Sequence, residues 1–112
     1  MGRGSIARSR DFRKVFDTGR RARRDGLTVW AVPAADPALA SRLGLTVRRS
    51  TGNSVTRNRI KRRIRHAFAE TLPVNGFDVV ARADAEAIGR NYQELKDDLR
   101  RALAAAGVET RS

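Results

Sequence analysis

Apolar residues along this chain recur with two periods, and the switch between them marks out the elements. Ile60, Ile64, Ala67, Phe68 and Leu72 fall at three- and four-residue spacing, one stripe of an amphipathic helix. That helix is predicted from about Ser54 to Leu72, opened by an Asn53 or Ser54 cap after Gly52 and stopped before Pro73. Tyr92, Leu95, Leu99, Ala102, Leu103 and Ala106 form a second stripe. Asn91-Tyr92-Gln93-Glu94 opens it as an Asn-led capping box, and Gly107 is suited to its C′ position. A shorter helix is predicted from Arg10 to about Thr18, capped by Ser9 and ended by Gly19, with Phe12, Val15 and Phe16 on one face.

Between the helices the period drops to two. Leu27–Val32 points Leu27, Val29 and Ala31 one way and Thr28, Trp30 and Val32 the other, so Trp30 is either a core filler or a surface platform. Arg42–Arg48 is a strand with Leu43, Leu45 and Val47 on its buried side, and Phe77–Arg82 is the last strand. The order is α-β-β-α-β-α, with room for a further strand around Arg20–Arg24. This is a small α/β sandwich with a mixed sheet. The expected organisation is one domain over residues 9–107, a basic flexible arm at 1–8 and a tail at 108–112.

Charge then narrows the partner. A net charge of +12 over 112 residues, with a pI near 11.7, favours nucleic acid or another polyanion. Arg outnumbers Lys 21 to 3, and guanidinium suits bidentate phosphate contact. There is no cysteine, hence no disulfide or thiolate metal site, and one histidine is too few for a His-based zinc site. The N-terminal residues lack the apolar core of a signal peptide, and no apolar run is long enough to span a membrane, so a cytoplasmic protein is expected.

The helix beginning at Ser54 carries six basic residues between Arg57 and Arg65, at the end where exposed N–H groups and the helix dipole favour acidic ones. A polyanion partner relieves that mismatch, since helix N-termini accept phosphate. From Pro37 through Ala69 there are nine positive charges and no acidic residue. On a wheel of about 100° per residue with Ile60 at zero, Arg57 and Lys61 lie at roughly 60° and 100°, beside the core-facing side. Asn58, Arg62 and Arg65 lie between about 140° and 200°, facing away, while Arg59, Arg63 and His66 occupy the other flank. One helix thereby offers charge to two surfaces.

Self-contained catalysis is disfavoured. A metal-dependent nuclease needs convergent carboxylates, and Asp11, Asp17, Asp25, Asp36, Glu70 and Asp78 are scattered. Asp97 and Asp98 are read as polar-face residues of the last helix in a solvated or Arg-paired role, and His66 as a surface histidine. No Ser-His-Asp, P-loop or dinucleotide pattern is present. The helix offers phosphate binders rather than base readers, which argues against a DNA-binding module.

Gly52-Asn53-Ser54-Val55-Thr56-Arg57-Asn58-Arg59-Ile60-Lys61-Arg62 resembles the signature of the bacterial ribonuclease P protein subunit. Asp11-Phe12-Arg13-Lys14-Val15-Phe16, Leu43-Gly44-Leu45-Thr46-Val47 and Phe77-Asp78-Val79-Val80-Ala81-Arg82 resemble that family's first helix and two of its strands, in order. The resemblance covers about residues 5–106. It implies an α/β (α+β) two-layer sandwich with a mixed four-stranded sheet and three helices in the order α-β-β-β-α-β-α. The crossover through the basic helix is implied to be left-handed, against the right-handed default of a βαβ unit. It also implies an endonuclease that removes the 5′ leader of precursor tRNA. The RNA subunit carries catalysis and binds the Mg²⁺, and the protein, inactive alone, assists leader binding and metal affinity. By position, Arg57, Asn58, Arg59, Lys61, Arg62 and Arg65 would face the catalytic RNA, and Phe12, Phe16 and Trp30 would line the leader cleft. Arg48 and Arg49 are read as auxiliary phosphate contacts; no protein metal ligand is assigned. Arg63 departs from an apolar residue found in some members and is suited to snorkelling at the core edge. The rival expectation is a structural, ribosomal-type RNA-binding protein with no catalytic role. Neither a membrane nor DNA is expected as partner.

Overall fold

The computed structural model describes residues 6, 9–71 and 76–110. The remainder of the predicted arm, the expected helix end at Leu72 and most of the Val74–Gly76 turn lie outside these residues. The elements run α1 (Ser9–Thr18), β1 (Arg20–Arg24), β2 (Leu27–Pro33), β3 (Arg42–Val47), α2 (Ser54–Thr71), β4 (Phe77–Ala83) and α3 (Tyr92–Ala105). Two short 3-10 turns, Arg49–Thr51 and Ala85–Gly89, join them.

The sheet is four-stranded in the order β1-β2-β4-β3. β1 pairs antiparallel with β2 and β2 with β4, whereas β3 runs parallel to β4, so the sheet is mixed. Parallel neighbours need a crossover, and α2 supplies it. β1, four arginines around a buried Ala22, occupies an edge, where clustered positive charge resists pairing with another chain.

Register assigns the faces. Leu27, Val29, Ala31, Leu43, Val47, Val79, Ala81 and Ala83 join Ile60, Ile64 and Ala67 of α2 and Leu95, Leu99 and Leu103 of α3 in one core. The opposite face is covered over its middle by α1: Trp30 and Val80, direct cross-strand partners, pack with Val15 and Ile6 in a second cluster. The two-layer expectation therefore gains a partial third layer. Its physical cause is the alternation within β2, which gives each sheet face a large apolar side chain to cover. Ile6, assigned to the arm, is buried and donates its N–H to the Leu43 carbonyl at 3.0 Å. Val108, assigned to the tail, is likewise buried in the main core.

The local signals work as their chemistry dictates. Asn91 and Glu94 form the reciprocal capping box of α3, and Gly107 follows its end with φ +88°. A Cβ at Gly107 would lie 3.0 Å from a guanidinium nitrogen of Arg20, whose charge lies beside the negative end of α3. Asp98 is 0% exposed, so of the two roles expected for it, solvated or Arg-paired, it takes the second. It accepts from Arg90 Nε and Nη2 at 2.8 and 2.9 Å, which ties the entry of α3 to its second turn.

Candidate nucleic-acid interface

The approach to α2 is built from Arg48 to Thr56. After the turn Arg49–Thr51, Gly52 takes φ 156°, ψ −168°, a region open essentially to glycine. Asn53 then caps the helix, its side-chain oxygen accepting the Thr56 N–H at 2.9 Å. The first turn of α2 holds no acidic residue and the last turn no basic one, the reverse of what the dipole favours. Thr51 Oγ1 and Arg57 Nε are buried at this junction with no hydrogen-bond partner among the described residues, a cost of about 1–3 kcal/mol each.

Arg57, Lys61 and Arg63 are partly buried along the flanks of the helix, while Asn58, Arg59, Arg62, Arg65 and His66 are exposed. None of the six cations of α2 has a carboxylate partner among the described residues. Eight of the twelve carboxylates are engaged elsewhere: Asp84 and Glu86 with Arg23, Asp78 with Arg42, Asp25, Glu94 and Asp98 with Arg90, Asp97 with Arg100, and Glu70 with Lys96. The charge is sorted, not merely abundant. His66 packs beside the Tyr92 ring at 5.5 Å, at the end of α2 away from Arg57.

The sheet face carrying α1 continues past it as a second basic surface. Phe12 lies partly buried over Gly44, where a Cβ would come within 2.8 Å of its ring. Phe16 is 37% exposed and meets Trp30 edge-on at 4.7 Å. Trp30 is only 8% exposed, covered by Phe16, by the Arg82 guanidinium at 5.0 Å and by that of Arg21 at 5.9 Å. The structure thus brings Phe12, Phe16 and Trp30 together, with Trp30 at the bottom. Arg82 was not singled out by the sequence reading; its place two residues along from Val80, on the face of Trp30, was the available signal. Burial, with Arg48, Arg21 and Arg23 nearby, lowers the Arg82 pKa below the ordinary guanidinium value. Arg48 and Arg49 are exposed at the exit of β3. A separate cavity of about 370 Å³ between α1 and the 34–42 segment has mixed charge, lined by Asp11, Lys14, Asp36, Arg42 and Asp78.

A model of the ribonuclease P family matches residues 3–107. The chain belongs to the bacterial ribonuclease P protein family. A ribonuclease P protein component from Gluconacetobacter diazotrophicus is 39% identical over 101 residues, covering 88% of this chain and 86% of that one. One from Streptococcus thermophilus is 34% identical over 84% of each chain. Among solved structures, a Staphylococcus aureus ribonuclease P protein mutant with defective mRNA degradation activity superposes with a TM-score of 0.84 at 25% identity, over 94% of this chain and 89% of that one. The Thermotoga maritima ribonuclease P protein gives 0.75 at 25% identity, over 87% and 92%. As a family member the chain is the protein component of a ribonucleoprotein endoribonuclease and assists 5′ processing of precursor tRNA. Membership of the ribonuclease P family also implies partnership with the ribonuclease P RNA.

Among the described residues there is no group of three or more His, Asp or Glu side chains that could hold a metal ion. No helix among them is long and apolar enough to cross a membrane.

Proposed function

We propose that this chain holds two RNAs at once, the catalytic RNA subunit on α2 and the precursor-tRNA leader in the cleft beside it. The outward face of α2, Asn58, Arg62 and Arg65 with Arg59, contacts the RNA subunit. Arg57 and Lys61 reach toward the cleft, where Phe12, Phe16 and Trp30 lie and Arg48 and Arg49 add phosphate contacts. The crossover through α2 is left-handed, as in the family. Mg²⁺ is held mainly by the RNA, whose chemistry cleaves the phosphodiester; the protein, acting in the cytoplasm and inactive alone, raises affinity for leader and metal.

The observation that supports this best is the sorting of charge. Every cation of α2 lacks a carboxylate partner among the described residues, while Arg23, Arg42, Arg90 and Arg100 elsewhere in the fold have theirs. Unpaired cations clustered on one helix carry a standing repulsion that a polyanion removes.

The test is reconstitution with a cognate RNA at low Mg²⁺. Protein alone should cleave nothing, and together with the RNA it should restore precursor cleavage. Phe16→Ala should weaken binding of leader-bearing substrate more than of mature tRNA; equal losses would remove Phe16 from the cleft assignment. Cleavage by the protein without RNA would overturn the proposal altogether. Trp30→Ala is a poorer probe, because removing a buried aromatic side chain costs about 3–5 kcal/mol of stability.

A further inference from the structure

We propose that Trp30 is not a base-stacking platform but the seat of a two-arginine clamp, in which Arg82 and Arg21 bind phosphates of the single-stranded leader on the floor of the cleft. The proposal rests on the reading of the cleft as the leader site.

Three adjacent strands set the clamp. Arg21 of β1 is the direct cross-strand partner of Trp30 in β2, and Trp30 is the partner of Val80 in β4. Side chains alternate, so Arg82 shares the face of Val80 and reaches the indole from the other side. The two guanidinium carbons lie 5.9 and 5.0 Å from the ring centroid, within cation–π range, and Phe16 closes the ring edge. A nucleobase approaching from solvent meets guanidinium groups before it meets indole. The exposed ring of this cleft is Phe16, and base stacking falls to it.

The charges here are unbalanced. Arg48, Arg21 and Arg23 all repel Arg82, and the carboxylate that acts on it, Asp84, already accepts from Arg23 at 2.7 Å. Neither Arg21 nor Arg82 has a carboxylate partner among the described residues. A guanidinium resting on an aromatic face has its plane fixed and keeps its fork of N–H donors for a bidentate anion. Two such groups flanking one ring match consecutive phosphates of a strand better than they match any one base. Recognition at this point is therefore of the backbone and indifferent to sequence.

The sole tryptophan makes the test direct, because intrinsic emission reports on this site alone. The full chain is titrated with single-stranded oligo-U, oligo-A and an abasic ribose-phosphate oligomer of the same length, over a range of salt. All three should change Trp30 emission. Arg82→Gln should weaken all three by the same factor, roughly tenfold for a lost charge-assisted contact. The salt slope should fall by about 1. Arg82→Lys should recover part of the affinity. An emission change with base-bearing oligomers but not with the abasic one would overturn the clamp, as would unaltered binding by Arg82→Gln. If wild-type protein binds none of them, the cleft reading itself fails and the clamp with it. Melting curves accompany each variant; should Arg82→Gln unfold, Arg21→Gln on the exposed edge strand carries the same prediction.

Discussion

Tyr92 is a residue whose surroundings set a measurable property. Its hydroxyl donates to Glu70, and Lys96 approaches the same carboxylate at 3.9 Å. Burial, followed by the bond and charge of Glu70, pushes the Tyr92 pKa from 10.0 up to about 12. The same bond holds the Glu70 carboxyl below its ordinary value. The folded state thus keeps its proton on Tyr92 where the unfolded chain has lost it. The stabilisation is complete below pH 10 and disappears as pH rises through 12. Because Tyr92 is the only tyrosine, its tyrosinate absorbance can be followed without interference, and Glu70→Gln should bring the transition back toward 10. An unchanged transition in that variant would remove Glu70 as the cause. None of this was legible in the sequence, because Glu70 and Tyr92 meet only when α2 packs on α3. Asp98 shows the same limit: helical spacing assigned it to a polar face, and only the return of Arg90 across the capping box makes its burial tolerable. Trp30 was undecidable by period two, and the docking of α1 decides it.

Elements were far easier to read than their surroundings. Stripes at three- and four-residue spacing located α2 and α3, and the Asn91–Glu94 box and Gly107 marked the ends of α3 within a residue. β1 was harder, since four arginines in five residues have no strand propensity; pairing with β2 overrides it. The signal that would have strengthened the assignment was Asp25-Gly26, a hairpin dipeptide. Asp25 takes φ +52°, and Gly26 sits so close to Ala87 that a Cβ would lie 2.3 Å from its nitrogen. The 3-10 turns carried no periodic signal because they are too short to have one. At this scale the entry to α2 is the exposed weak point. Its dipole is opposed by Arg57 and Arg59, which leaves Asn53 as the side chain seen to satisfy a first-turn N–H. Asn53→Ala should lower stability by about 1 kcal/mol in chemical denaturation. It should also shift the melting temperature upward on adding RNA by more than wild type, since the anion then replaces a missing acceptor. A variant as stable as wild type would show that the cap contributes nothing.

Over the whole molecule the charges separate into two classes. Between Arg23 and the 3-10 turn at 85–89, and around the start of α3, arginines meet carboxylates: Arg23 with Asp84 and Glu86, Arg90 with Asp98, Arg100 with Asp97. Along α2 and across the cleft floor they meet none among the described residues. Net charge alone foretold a polyanion partner, but composition could not say which arginines are free, because pairing depends on elements far apart in sequence. Arg23 and Asp84 are 61 positions apart. The family carries the rest: what binds is RNA, and the purpose is 5′ processing of precursor tRNA. The central claim is that unpaired cations, rather than cations in general, form the RNA interface. The measurement that tests it is the salt dependence of binding to the cognate RNA subunit for two double variants of equal charge change. Arg62→Ala with Arg65→Ala removes unpaired charges of α2; Lys96→Ala with Arg100→Ala removes charges already engaged by Glu70 and Asp97. The account predicts that the first pair lowers the slope of log affinity against log salt by roughly 1.5 and that the second leaves it unchanged. Equal losses from both pairs would contradict it, reducing the interface to an undirected positive field.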